Sequence, residues 1–245
     1  MLISVFLRGA TKWSHQHLIN TLISTYSSQN KSIRMDLFRP KSSGRHPIVL
    51  ALHGSGGIRS SQHGEFAQLL ADRGFAVFVP HYFEVTGTDW AYPQEIREKH
   101  RFWINAISDA IDFASQQEFA DADSIGLVGF SLGAYLALGL AAMQPRIRAV
   151  VDFFGGMPDE MIAEMRHCPA VLILHGDKDL TVPVTEAFKL ESLLKARNVP
   201  HELKIYKGAG HGFRGLDMLD AAQRTYFFLK QHLRNTQNVE TPHAV

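Results

Sequence analysis

Ser131 stands in GFSLG, between Gly129 and Gly133, where the apolar stretch SIGLVGF gives way to LGAYLALGLAAM. A G-x-S-x-G pattern suits a sharp strand-to-helix turn, because small neighbours let the backbone double back without clashes. Such a turn lifts the serine hydroxyl away from the sheet. It also sets the hydroxyl at a helix N-terminus, where free N–H groups and positive potential favour a developing negative charge. The chemistry would be nucleophilic attack. A glycine-flanked serine that only caps a helix would leave the same five residues, and the strand before and helix after favour the nucleophile.

A serine hydroxyl needs a base to react at neutral pH. The chain has 13 histidines, so the presence of one carries no information. His211 is set apart by its position in KGAGHGF, a glycine-rich loop after the strand HELKIY and before the last helix. From there the imidazole can project toward the serine's edge of the sheet, although a solvent-exposed loop histidine would look the same. The base needs a carboxylate that fixes its tautomer and stabilises the imidazolium. LHGDKDLTVP (174–183) follows a buried strand and offers Asp177 and Asp179. Both types also serve turns and helix caps. Asp179 lies nearer the helix start and fits the acid, which leaves Asp177 to shape the turn.

The negative oxygen of a tetrahedral intermediate needs preorganised donors. Two backbone N–H groups are placed for this: that of Leu132, directly after the serine, and that of Ser55 in the loop HGSGG (53–57) after the strand PIVLALH. Glycine-rich loops also bind phosphate, but this one lacks a G-K-[ST] ending and a G-x-G-x-x-G match, so a nucleotide site is disfavoured.

These residues must be carried by a sheet. PIVLALH (47–53), FAVFVP (75–80), SIGLVGF (124–130), IRAVVDFF (147–154), AVLILHG (170–176) and HELKIY (201–206) read as buried strands, and SIRMDLF (32–38) as an edge strand. Amphipathic stretches fall between them: 62–74, about 94–117, 132–143, one beginning near Pro183, and about 216–233. Short apolar strands alternating with helices imply βαβ units and a mostly parallel sheet covered on both faces. Ligands of such sheets bind at the carboxyl ends of the strands, where all four polar features fall. Residues 1–31 are rich in Ser, Thr, Asn and Gln, show no clear strand pattern, and read as an extension in which LINTLIS forms one or two helical turns. Residues 32–235 read as one domain and 236–245 as a loose polar tail.

HGSGG, GFSLG, GDKDLTVP and GAGHGF, in that order, resemble the α/β-hydrolase superfamily. VPHYFEVTGT and VVDFFGGMPD further resemble its dienelactone hydrolase branch, and the similarity spans about Ile33 to Leu233. The resemblance implies an α/β-hydrolase fold and a hydrolase that works through an acyl-enzyme, with no cofactor and no metal. Carried over by position, Ser131 is the nucleophile, Asp179 the acid and His211 the base. The chain departs from the familiar dienelactone pattern, which has a cysteine nucleophile and a glutamate in the loop that here reads HGSGG. A general carboxylic ester is therefore expected in place of a cyclic dienelactone. Cys168, the one cysteine, precedes a different strand and reads as a core thiol.

Only GGMPDEMIAEMRHCP separates IRAVVDFF from the next strand, room for a short helix and no large lid domain. An open site suits small or accessible esters. The excursion from His81 to Pro93 carries several aromatics, of which Tyr82 and Trp90 are candidates to line a substrate pocket. Twenty-five basic against 24 acidic residues give no basic surplus, so electrostatic attraction to nucleic acid or anionic lipid is not indicated. One cysteine excludes an internal disulfide and fits a reducing compartment. MLISVFLRGA is too short for a secretory core and is interrupted by Arg8, and no stretch approaches a membrane span. The expectation is a cytoplasmic serine esterase, monomeric or a small homo-oligomer, acting on a small-molecule ester. A thioesterase or a small-peptide or amide hydrolase could use the same triad, and a non-catalytic binding protein on this scaffold is the alternative from another class.

Overall fold

A computed structural model describes residues 21–60, 63–162 and 165–233. Eight strands form a single sheet: β1 (Thr21–Ser28), β2 (Lys31–Phe38), β3 (His46–Leu52), β4 (Ala76–Pro80), β5 (Ala120–Phe130), β6 (Ile147–Phe153), β7 (Ala170–Gly176) and β8 (His201–Tyr206). Their spatial order is β1-β2-β4-β3-β5-β6-β7-β8. The six strands β4, β3, β5, β6, β7 and β8 pair in parallel, and β2 alone runs against its neighbours.

The parallel strands are apolar on both sides because helices cover both faces. On one face Ile48, Leu50 and Leu52 pack with Trp103 and Ile107 of α2 (Pro93–Ser115), Leu136 of α3 (Leu132–Ala141) and Leu190 of α5 (Thr185–Ala196). On the other, Val49 and Ala51 pack with Phe66 and Leu70 of α1 (His63–Ala71) and Phe228 and Leu229 of α6 (Gly215–Leu233). Alternate residues of β3 thus serve opposite cores, as the period-2 geometry of a strand requires. The fold is the α/β-hydrolase arrangement expected from the alternation of strands and helices. Between β6 and β7 the described residues hold one short helix, α4 (Asp159–Ile162), and no lid domain.

The N-terminal reading needs correction. Residues 21–24 of LINTLIS are extended, in β1, and Thr21–Ser28 pairs along its whole length with β2. The edge place assigned to SIRMDLF therefore belongs to β1, and β2 lies one strand in. The hairpin closes through Gln29 and Asn30, both at positive φ (50° and 63°), the geometry a two-residue turn needs to match the strand twist. β1 carries little strand signal in its sequence because it packs sparsely. Only Tyr26 and Ser28 are buried, so serines and threonines fill positions that an inner strand would give to Val or Ile. Residues 1–20 and 236–245 lie outside the described residues.

Candidate active site

The turn at Ser131 is as tight as its sequence demands. Ser131 adopts φ 55° and ψ −118°, a region that costs a non-glycine residue energy and that functional turns retain. Its N–H donates to Phe153 O at 2.9 Å, which ties the end of β5 to the end of β6. Both flanking glycines are sterically required. A Cβ on Gly129 would sit 2.4 Å from Ala134 Cα, and one on Gly133 would sit 2.3 Å from Leu52 O. The first pair folds α3 back on β5, and the second lets the start of α3 lie directly on the end of β3.

Three side chains from three strand ends meet at this turn. His211 Nδ1–H donates to Asp179 Oδ2 at 2.7 Å, and Ser131 Oγ–H faces His211 Nε2 at 2.9 Å. A carboxylate can only accept, so Nδ1 carries the proton and Nε2 is left with a lone pair for the serine. The Asp179 side chain is fully enclosed, while His211 is partly open to solvent. Asp179 Oδ1 accepts the N–H groups of Thr181 and Val182 at 2.8 and 2.9 Å, so both oxygens are held. Asp177 does the structural work assigned to it: its Oδ1 accepts Gly208 N–H at 2.6 Å and joins the loop of the acid to the loop of the histidine. Gly176 assists, because a Cβ there would meet Ala209 O at 2.3 Å.

Two further neighbours are not among the site residues expected from the sequence. Phe154 takes φ 45°, a strained conformation for an aromatic residue, and places its ring edge-to-face with the His211 imidazole at 4.8 Å between centroids. His175, buried, donates Nε2–H to Val182 O at 2.9 Å and lies 3.5 Å from Asp179 Oδ2. Burial holds its pKa below the ordinary histidine value, so it remains a neutral donor beside the acid. LHG could have been read as a strand end with a polar residue facing inward, but only the fold shows which group it faces.

The loop 53–57 abuts the serine. A Cβ on Gly54 would lie 3.3 Å from Ser131 Cβ. Ser55 O accepts Ala91 N–H at 2.8 Å, and Gly54 O accepts Gly57 N–H at 3.0 Å. Leu132 is the first residue of α3, so its N–H has no carbonyl one turn back to bond. Of the two aromatics expected at a pocket, Trp90 is 53% exposed, between Asp89, whose carbonyl meets Gly57, and Ala91, which anchors Ser55. It stands at the rim of the loop. Tyr82 does not line the site, a correction to the sequence reading: it is fully buried, its ring stacks on His53 at 4.1 Å, and its hydroxyl donates to His53 O at 2.5 Å. An aromatic at the start of a loop excursion was as free to pack beneath it as to line it. Cys168 is half-buried against the larger core, away from the three strand ends.

Among the described residues no helix is long and apolar enough to cross a membrane, and no three His, Cys, Asp or Glu side chains are grouped to hold a metal. Residues 33–242 match the dienelactone hydrolase family. The chain is 25% identical over 178 residues to a protein of Rattus norvegicus named a carboxymethylenebutenolidase homolog, covering 69% of this chain and 71% of that one. It is 32% identical over 120 residues to the acyl-coenzyme A thioesterase 6 of Homo sapiens, covering 49% of this chain and 26% of that one. The crystal structure of a dienelactone hydrolase from Anabaena variabilis superposes with a TM-score of 0.70 at 24% identity, covering 88% of this chain and 99% of the other. With strand order, motif order and family match in agreement, this chain belongs to the dienelactone hydrolase family of α/β-hydrolases.

Proposed function

We propose that the protein is a serine hydrolase that cleaves carboxylic esters of small or accessible substrates through an acyl-enzyme. The observation that carries this reading is the unbroken hydrogen-bond chain from Asp179 through His211 to Ser131, with links of 2.7 and 2.9 Å. Ser131 Oγ bonds to the ester carbonyl carbon as His211 Nε2 takes its proton, and Asp179 stabilises the imidazolium. The carbonyl electron pair moves onto oxygen, where the N–H groups of Leu132 and Ser55 receive the charge. Collapse expels the alcohol, which takes the proton from Nε2. Water then attacks the acyl-enzyme by the same route and releases the acid. Between β6 and β7 the described residues hold one short helix and no lid domain, which favours accessible acyl groups, and exposed Trp90, next to the Ala91 that bonds Ser55 O, is a candidate to meet them.

A thioester is the second reading, favoured by the partial similarity to the human acyl-coenzyme A thioesterase. The triad chemistry is the same, and only the leaving group differs. The test labels the protein with a fluorophosphonate and measures turnover of aryl esters and acyl thioesters from two to eight carbons. Labelling and aryl-ester turnover that disappear in Ser131→Ala support the proposal. No labelling and no turnover of any acyl length would overturn it, and turnover confined to the thioesters would select the second reading.

A further inference from the structure

The peptide between Gly54 and Ser55 has its carbonyl held, while its N–H has no partner among the described residues. Gly54 O accepts two hydrogen bonds, one from Gly57 N–H at 3.0 Å and one from His53 Nδ1 at 2.9 Å. A carbonyl cannot donate, so the His53 proton is on Nδ1. The peptide is trans. In a trans peptide the C=O and the following N–H point in opposite directions. Fixing the Gly54 carbonyl therefore fixes the direction of the Ser55 N–H, while Gly54 itself lies against Ser131. Ala91 N–H on Ser55 O, at 2.8 Å, holds the next peptide in turn.

His53 is braced for such a task. Its ring stacks on Tyr82 with an interplanar angle of 9°, meets Phe83 edge-on at 4.6 Å, and its own carbonyl takes the Tyr82 hydroxyl. The residue is almost fully buried, and burial pushes its pKa down to about 3, so it keeps one neutral tautomer where His211 would act as a base.

We infer that His53 is a positioning residue for the oxyanion site: its Nδ1–H, bonded to Gly54 O, aims the Ser55 N–H at the oxygen of the substrate carbonyl. The inference rests on the serine-hydrolase reading and names a side chain on which that site depends.

Two substitutions separate the hydrogen bond from the packing. His53→Phe keeps the ring and its stack on Tyr82 but has no donor. His53→Asn loses the ring but brings an amide N–H close to the position of Nδ1. Each is compared with wild type on one aryl ester and on its thionoester, whose C=S sulfur accepts hydrogen bonds poorly and draws little from an oxyanion site. For His53→Phe, kcat on the ester should fall about 10- to 100-fold, less than the roughly 10²- to 10³-fold loss that follows outright removal of a single oxyanion donor, because the Ser55 N–H is misaimed and not removed. KM should change little, and the ester-to-thionoester rate ratio should fall with kcat. His53→Asn should restore most of the ratio even if its thermal midpoint is the lower of the two. The inference is overturned if His53→Phe keeps the wild-type ratio, or if both variants lose rate on ester and thionoester alike. If wild type turns over no ester, the serine-hydrolase reading has failed. If wild type is active and His53→Phe is indistinguishable from it, only the role of His53 has failed.

Discussion

Asp179 and His211 are joined at 2.7 Å through Oδ2, while Oδ1 of the same carboxylate is clamped by the N–H groups of Thr181 and Val182. The carboxylate cannot turn without breaking three hydrogen bonds in an enclosed site. Asp179→Asn should keep its carbonyl oxygen on the two backbone donors, which directs the NH₂ group at His211 Nδ1. Donor then meets donor, the imidazole moves its proton to Nε2, and it can no longer accept from Ser131. We expect kcat to fall by about 10³- to 10⁴-fold, in line with tautomer loss in triads generally, with KM close to wild type. Steady-state kinetics on an aryl ester measure this. A rate within tenfold of wild type would remove Asp179 from the role of orienting acid.

Tyr82→Phe removes the hydroxyl that satisfies His53 O. The site is buried, so water cannot replace the lost donor, and leaving the group unpaired should lower unfolding free energy by about 1–3 kcal/mol. Burial holds the Tyr82 pKa well above its ordinary value, so the loss should be the same at pH 6 and pH 9. Urea unfolding at the two pH values tests both statements. An unchanged midpoint would mean that the hydroxyl contributes nothing to the loop.

Much of this site is legible in the chain because its parts obey local rules. GFSLG needs its glycines to turn, GDKDLTVP and GAGHGF sit at strand ends, and HELKIY and AVLILHG are strands with the bounds their apolar runs suggest. The rest depends on distant packing. β1 is a serine- and threonine-rich edge whose partner, not its composition, makes it a strand. Nothing in HYFEVTGTDW says which aromatic turns inward, so Tyr82, buried in the fold, looks in the sequence like a pocket residue. The neighbours Phe154, His175 and His53 act through geometry: a positive φ, an imidazole beside the acid, a ring N–H on a loop carbonyl. No residue type or spacing encodes these.

Gly133→Ala should damage stability and activity together. The new Cβ would lie 2.3 Å from Leu52 O and 2.6 Å from His53 O, both backbone atoms that cannot turn aside. The start of α3 must lift from the end of β3, which separates Leu132 and Ser131 from the loop of Ser55. We expect a loss of several kcal/mol, at the upper end of what single substitutions cost, and turnover below about 1% of wild type in the fraction that folds. Calorimetry and active-site titration measure the two effects. A variant of normal stability and rate would show that this contact is looser than the geometry requires.

Asp152, at the end of β6, makes folding stability depend on pH. It is fully buried, its Oδ1 accepts Gly155 N–H at 2.7 Å, and its Oδ2 has no partner among the described residues. Burial pushes its pKa up to about 7 from the ordinary 3.8. The folded protein therefore keeps a proton that the unfolded chain releases above pH 4. Stability from this group is fully present below that pH, declines as pH rises toward 7, and is flat beyond, a change on the order of a few kcal/mol. Asp152→Asn retains the acceptor for Gly155 N–H, carries no charge at any pH, and should escape the decline. Urea unfolding of both proteins from pH 4.5 to 8.5 should give curves that diverge up to about pH 7 and then run parallel, with the asparagine variant the more stable. Curves parallel throughout would show that Asp152 is ionised in the folded protein at acid pH and that burial does not govern it.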